Sequence, residues 1–380
     1  MIDTGYLLLQ TTLILLGAGR SSRFQTQVKK QWLYSDDIPL WLHVAETFEK
    51  NHPFAKIVIV SSAEEIAYMQ HFASYTYVEG GESRQDSLKN ALEVVQTPYV
   101  LVSDIARCCV PNRLIQRLFD AKEKGACIVP VLPMTDTLYM DNLPIDRSAV
   151  RAIQTPQLSV TKLLKKALDT SEAFTDDSSA IASLGEKVHF VEGEVTAHKL
   201  TTLEDIAKLP CLKAPRTTSL MGYGIDIHPF EEGKEMKLCG VSIDVPYGFK
   251  AHSDGDVAIH ALIDALLGAM GMGDIGELYP DTDVRFKGCD STQLLADTLR
   301  RVHAYGFSLE NVDLTILAQT PRLLPYKTKM RQKLATLLHL RPNRVNIKAT
   351  TAEKLGFVGR KEGVTVHAVA QLTYFNWKTL

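Results

Sequence analysis

Asp226 and His228 lie two residues apart in the run GYGIDIH, and His260 lies in AHSDGDVAIH, four residues after Asp256 and four before Asp264. Carboxylates and imidazoles are side chains that hold divalent ions. A spacing of two on a strand sends both side chains to one face, and a spacing of four on a helix lines Asp256, His260 and Asp264 along one stripe. One Asp and two His that converge have the composition of a catalytic zinc site with three protein ligands and an open fourth position. The competing reading is structural: Asp256 complements the positive end of a helix starting near Ser253 or Asp254, and His260 is a satisfied core histidine. Downstream, KATTAEKLGFVGRKEG gathers Thr350, Thr351, Glu353, Lys354, Arg360 and Lys361 near the end of a strand. Hydroxyls, one carboxylate and basic heads at that density suit a diphosphate with a second divalent ion. The same residues would also serve to keep a loop hydrated.

A second set lies far upstream. LGAGRSSRFQTQVKKQW puts a glycine turn after an apolar run and follows it with Arg23, Lys29 and Lys30. Backbone N–H groups in such a turn can approach phosphate. Its spacing is neither GxGxxG nor a P-loop, and a plain strand-to-helix turn also accounts for it. The loops EGGESRQDS, SDIAR, TDT, IQTPQ, FTDD and HKLTT add hydroxyls and charges that are ordinary one by one.

The elements that must position these residues fall into two groups. TLILLG, KIVIVSS, YVLVSD and CIVPVLP read as buried strands, alternating with helical runs such as SRQDSLKNALEVV. This predicts a mostly parallel sheet covered by helices on both faces. LPCLKAPRTTSLMG breaks both periods with two prolines and reads as a linker. Beyond it come GYGIDIH, a long apolar helix, a loop rich in Asp and Gly, then VDLTILAQ, NIKATT and VTVHAVAQLTYF, a pattern of α+β type. The expected division is residues 1–209, a linker at 210–218, and residues 219–380.

With 380 residues and a formal net charge of -2, the chain lacks the basic footprint of a protein that coats nucleic acid or an anionic membrane. YLLLQTTLILLGAG has no basic leader or cleavage site and reads as a first strand rather than a signal peptide. No uncharged apolar run approaches the ~20 residues that span a bilayer, so no membrane partner is expected. The six cysteines form no CxxC pair, which predicts reduced thiols in a cytoplasmic protein.

The ordered motifs GYGIDIHPF, AHSDGDVAIHAL, GDIGELYPDTD and KATTAEKLGFVGR resemble the 2-C-methyl-D-erythritol 2,4-cyclodiphosphate synthase family over essentially all of residues 219–380. The resemblance implies that Asp226, His228 and His260 bind zinc or another divalent cation. It implies that Glu353 holds a second one, magnesium or manganese, at the diphosphate, with Thr351 positioning it. His252 and Ser253 would lie beside the erythritol phosphate, with Asp274, Asp281, Phe357 and Arg360 as further substrate contacts. Ala318, Pro321, Leu324 and Thr350 match the cytidine pocket. In that family the 2-phosphate of a CDP-linked methylerythritol attacks the β-phosphorus and expels CMP.

The upstream motifs, in their order, resemble the 2-C-methyl-D-erythritol 4-phosphate cytidylyltransferases across about residues 8–209. Arg23 and Lys30 then cradle the triphosphate of CTP, and Gly17, Gly81, Glu82 and Ser87 read cytosine. Asp104, Arg107, Thr137, Arg147, Thr155, Thr175 and Lys199 take the methylerythritol phosphate side, with Asp104 also near magnesium and Lys199 near the α-phosphate. The chain departs from that pattern in Glu82 for a common Asp, Ser103 and Cys108 where HDAARP has His and Pro, and Lys29 for a common Pro.

Together these imply an α/β Rossmann-like nucleotidyltransferase domain followed by an α+β cyclodiphosphate synthase domain, catalysing two non-consecutive steps of isoprenoid precursor synthesis. The intervening CDP-methylerythritol kinase is absent, since there is no Walker A motif, and is a candidate docking partner. The alternative is that one half is a non-catalytic scaffold. Synthases of this type resemble trimers and the transferases resemble dimers that lend Arg147 across the interface, so a trimer-based homo-oligomer, up to a hexamer, is expected.

Overall fold

The structure is a computed structural model that describes residues 9–19, 21–280, 282–286 and 288–379; Asp281 lies outside them. The chain divides into two compact units, Met1–Ala214 with Trp377–Leu380, and Pro215–Asn376. No helix among the described residues is long and apolar enough to cross a membrane.

The first unit is built on an eight-stranded sheet. Its order is Arg151–Ile153, Cys127–Pro133, Gln157–Val160, Tyr99–Asp104, Thr11–Leu16, Lys56–Ser61, Thr76–Glu79, with Val188–Glu192 also paired to Cys127–Pro133. Thr11–Leu16 is parallel to both of its neighbours and buried along its whole length. That is why this strand reads as an unbroken apolar run rather than as an alternation. Ile14, Leu16, Val58 and Val60 pack with Leu88, Ala91, Leu92, Leu164 and Ile181 from three helices. Leu13, Leu15 and Ile59, which alternate with them, are equally buried on the other face.

The sheet is mixed rather than mostly parallel on one side, because Arg151–Ile153 and Gln157–Val160 run antiparallel to their neighbours. The expectation of six reduced thiols is also corrected: Cys109 and Cys211 form a disulfide across 102 residues. Only the tertiary fold brings the loop after Tyr99–Asp104 to the segment after Leu203–Lys208, so no local spacing announces the pair. Cys211 also falls within the segment read as a linker, whose first part is thereby tied down.

The second unit is a five-stranded sheet ordered Tyr247–Phe249, Leu220–Glu232, Gly363–Tyr374, Phe307–Leu317, Val345–Thr350. The helix Val257–Met270 packs against Leu220–Glu232 and Gly363–Tyr374. Gly222 and Gly224 make this possible, since a Cβ would lie 1.9 Å from the Ala265 carbonyl at the first and 2.1 Å from the Ala261 carbonyl at the second. The helix begins at Val257, not near Ser253, because Gly255 turns the chain with φ +78° and Asp256 caps the first turn.

Candidate active sites

Gly222, Gly224, Asp226 and His228 share one face of their strand by the period of two. The two glycines admit the helix Val257–Met270 onto that face, and His260 stands in the helix's first turns. Asp226 Oδ2 lies 3.0 Å from His228 Nε2 and 3.3 Å from His260 Nδ1. These ligand atoms fall within 4.8 Å of one another. Asp226 Oδ2 is buried and has no correctly directed hydrogen bond, although both rings approach it. Three donors aimed at one point, one of them without a donor of its own, fit a divalent cation.

The far nitrogens are held as metal-bound histidines require. His228 Nδ1 faces the Gly255 carbonyl at 3.1 Å. His260 Nε2 meets Ser291 Oγ at 2.9 Å and Ser253 Oγ at 3.1 Å, and Ser291 Oγ donates to Asp254 Oδ1 at 2.5 Å. Burial raises the Asp226 carboxyl, but the His228 and His260 imidazoles beside it outweigh that and hold the group well below the usual carboxylate range. Burial pulls the His228 imidazole down, and Asp226 overrides that to raise it. Asp256 and Asp264 do not join the cluster. Asp256 accepts from the Ile259, Cys239 and Gly240 amides, and Asp264 from the Ile275 amide. The structural reading is therefore right for Asp256.

The cluster opens into a cavity of about 420 Å³ that His252, Ser253 and Lys250 also line. Asp274 is not among its lining residues, although Ile275 and Gly276 are; it caps the short helix Ile275–Leu278, accepting from the Glu277 amide. A separate cavity of about 340 Å³ is lined by Ala318, Pro321, Leu324, Thr350 and Thr351. Thr351 Oγ1 donates to Glu353 Oε1 at 2.6 Å. Arg360 pairs with Glu362 on the surface, and Phe357 lies in the turn Gly356–Gly359. No residue described as lining one of these cavities lines the other.

In the first unit, Gly17, Arg23, Lys30, Gly81, Glu82, Ser87, Asp104 and Lys199 line one cleft of about 450 Å³. Ser83 and Asp86 cap each other at the start of the helix Arg84–Glu93, and Ser87 Oγ accepts from the Gly81 amide at 3.1 Å. Lys199 Nζ donates to Asp104 Oδ2 at 2.7 Å. Burial raises the Asp104 carboxyl, and Lys199 and Arg84 outweigh it to bring it below its ordinary value. Burial lowers Lys30, with Lys199 and Arg23 adding to the effect and Asp104 opposing it. A cleft in which Arg23, Lys30, Arg84 and Lys199 outnumber the two carboxylates Glu82 and Asp104 is an electrostatic seat for a polyanion.

Thr155 Oγ1 lies 3.4 Å from the Asp104 amide, and Arg107 Nη1 donates to the Ala197 carbonyl at 2.6 Å. Thr137, Arg147 and Thr175 are exposed and are not among the cleft's lining residues. Sequence reasoning missed Arg84, whose Nη1 donates to buried Asp177 at 3.0 Å and whose Nε lies 3.7 Å from Asp104. It also missed Glu65, 1% exposed, which accepts from Gln31 Nε2, Trp32 Nε1 and Ser61 Oγ and so anchors the turn that carries Lys30. Arg84 was visible inside EGGESRQDS as a charge beside the positions expected to read cytosine; Glu65 had no local signal.

The profile of the 2-C-methyl-D-erythritol 4-phosphate cytidylyltransferase family matches residues 11–211, and that of the YgbB family matches residues 220–373. A protein of Sulfurovum sp. named bifunctional enzyme IspD/IspF is 71% identical, covering 97% of this chain and 98% of that one. A namesake from Sulfurimonas denitrificans is 53% identical, covering 96% and 95%. The solved structure of the bifunctional IspDF from Campylobacter jejuni superposes with a TM-score of 0.89 at 48% identity, covering 97% and 99%. Two site-bearing units in this order place the chain in the bifunctional IspD/IspF family, the enzymes of the methylerythritol phosphate route to isoprenoid precursors that join a cytidylyltransferase to a cyclodiphosphate synthase.

Proposed function

We propose that each activity is carried by the cleft described in its own unit, and that Asp226, His228 and His260 hold zinc. The observation that carries the synthase assignment is the convergence of these three ligand atoms around a buried, undirected carboxylate oxygen. When bound, the cation supplies Lewis acidity to a phosphate of the CDP-linked substrate. Thr351 and Glu353 are read as the residues that position the diphosphate, with Glu353 able to take a second divalent ion, magnesium or manganese. Lys250, His252 and Ser253 line the mouth where the erythritol phosphate is expected, and the pocket of Ala318, Pro321, Leu324 and Thr350 suits the cytidine. Phe357 and Arg360 belong to the same reading.

In the transferase, Arg23, Lys30 and Lys199 are positioned to neutralise the triphosphate and the charge that develops as the 4-phosphate attacks the α-phosphorus. Asp104 orients Lys199 and is the carboxylate for magnesium. Gly17, Gly81, Glu82 and Ser87 offer backbone and hydroxyl groups to cytosine, while Arg107, Thr155 and Thr175 support the acceptor side. Thr137 belongs to the acceptor side as well, and Arg147 would act across a subunit interface. The two reactions are separated by a phosphorylation, so a kinase supplied by another chain stands between them, free or docked. The cytoplasmic location and the homo-oligomer belong to the same proposal.

Phosphorus NMR tests this reading. With CTP, methylerythritol phosphate and magnesium, CDP-methylerythritol should accumulate; the cyclic diphosphate and CMP should appear only after the separate kinase and ATP are added. The His260→Ala enzyme should lose bound zinc and the cyclic product while forming CDP-methylerythritol at the wild-type rate. Loss of both activities in a folded variant would overturn the separation of the two sites.

A further inference from the structure

Three sulfurs outside either cleft meet in the first unit. Cys109 and Cys211 are bonded, and Cys108 Sγ lies 3.9 Å from the first and 3.8 Å from the second. Cys108 and Cys109 are buried, whereas Cys211 is half-exposed. The two bonded residues lie on the segments that build the acceptor side of the transferase cleft. Cys109 follows Asp104 and Arg107 on the loop that leaves Tyr99–Asp104. Cys211 follows Lys199 and the turn Leu203–Lys208. Elsewhere the segments are joined by the Lys199–Asp104 ion pair, the Arg107-to-Ala197 bond and a bond from the Leu200 amide to the Ala106 carbonyl at 2.8 Å. The covalent link is one more tie across the same seam.

We propose that Cys109 and Cys211 form a reversible thiol-oxidation site that takes a low-molecular-weight disulfide as co-reactant and sets how firmly the acceptor side of the transferase cleft is held. The consequence for activity rests on the roles of Asp104, Arg107 and Lys199 given above; the oxidation site itself does not. In the forward direction the Cys211 thiolate, the most accessible of the three, attacks the small disulfide R–S–S–R, forming Cys211–S–S–R and expelling one R–S⁻. The Cys109 thiolate then attacks the Cys211 sulfur, the Cys109–Cys211 bond forms, and the second R–S⁻ leaves. Two electrons pass to the small disulfide, and the two protons released by the protein thiols convert the expelled thiolates to R–SH. Excess small thiol reverses both steps. Burial pushes the Cys108 thiol up to about 12, which keeps this third sulfur protonated and out of the exchange at neutral pH. Disulfides of reducing compartments are usually of this transient, sensing kind.

The test uses the full chain, either reduced with excess dithiol or oxidised with oxidised glutathione, then alkylated and mapped by mass spectrometry. The oxidised chain should offer two fewer alkylatable thiols than the reduced one, with a Cys109–Cys211 cross-linked peptide. In parallel, reduction should raise the KM for methylerythritol phosphate about threefold or more and leave kcat/KM for cyclisation unchanged. Cys211→Ser should behave as the reduced enzyme in both conditions, and Cys108→Ser should keep the response. Equal thiol counts in both states, or a linkage between other cysteines, overturn the oxidation site. Transfer kinetics that ignore the redox state, or that shift together with cyclisation, overturn the coupling. A chain that forms the linkage yet transfers no cytidylyl group in either state overturns the assignment of the cleft instead.

Discussion

His260 shows how a residue can satisfy two readings at once. Its Nε2 is partnered by Ser291 and Ser253, as a core histidine's would be, while its Nδ1 faces Asp226 and not a solvent or backbone group. The serine contacts fix which nitrogen is free for the ion, so their removal should act on metal affinity rather than on folding. Ser291→Ala is expected to weaken zinc binding by roughly 10- to 100-fold, measured by competition with a chromogenic chelator, with the unfolding midpoint little changed. Neither Ser291 nor Asp254 was legible from the sequence, because they reach His260 through a turn whose geometry no spacing encodes. Glu65 is the counterpart in the other unit. Glu65→Ala would remove the acceptor of the Gln31 Nε2 and Trp32 Nε1 hydrogen bonds, and should lower stability of that unit by about 3 kcal/mol in urea unfolding, since losing one partner of a buried hydrogen bond costs ~1–3 kcal/mol. Its loss should also slow cytidylyl transfer through Lys30.

At the level of elements, the strands were legible wherever burial imposed a pattern. YVLVSD and CIVPVLP coincide with Tyr99–Asp104 and Cys127–Pro133 because apolar runs bounded by turns leave little choice. The short antiparallel strands Arg151–Ile153 and Gln157–Val160 were not, since three or four residues carry no period. The helix start was misplaced because Ser253, Asp254 and Asp256 are all acceptable caps, and only the Gly255 turn decides among them. Gly222 and Gly224 were present in the quoted motif without a stated purpose, and the structure supplies it. A methyl group at position 224 would lie 2.1 Å from the Ala261 carbonyl and 2.8 Å from Asp264 Cβ, so the helix must move outward, taking His260 with it. Gly224→Ala should therefore reduce zinc affinity at least tenfold and abolish cyclisation while cytidylyl transfer persists, as read by metal calorimetry and the two assays on one preparation. Unchanged zinc affinity would show that the helix approach does not set the site.

For the whole molecule, two exposed apolar surfaces point to contacts between copies of the chain. Leu220–Glu232 presents Met221, Tyr223, Ile225 and Ile227 on the face opposite the metal ligands, each 47–74% exposed. In the first unit the hairpin Leu138–Met140 with Leu143–Ile145 exposes Tyr139, Met140 and Leu143 by 63–68%. Patches of this kind mark interfaces. The residues read as binding one synthase substrate are split between the metal cavity and the Ala318–Thr351 pocket, which share no lining residue. A neighbouring copy that brings its pocket to the first copy's metal cavity would complete the site. If the sheet face makes trimers and the hairpin makes dimers, the two contacts together are compatible with a hexamer of D₃ symmetry. Light scattering should then give six chains for the native protein. Ile225→Asp, which buries a charge in the sheet contact, should leave dimers that still bind zinc and transfer the cytidylyl group but no longer cyclise. Leu143→Asp should leave trimers that cyclise normally and transfer slowly, because Arg147 no longer reaches a partner. A monomeric native protein, or an Ile225→Asp variant that dissociates without losing cyclisation, would mean that one chain completes its own synthase site.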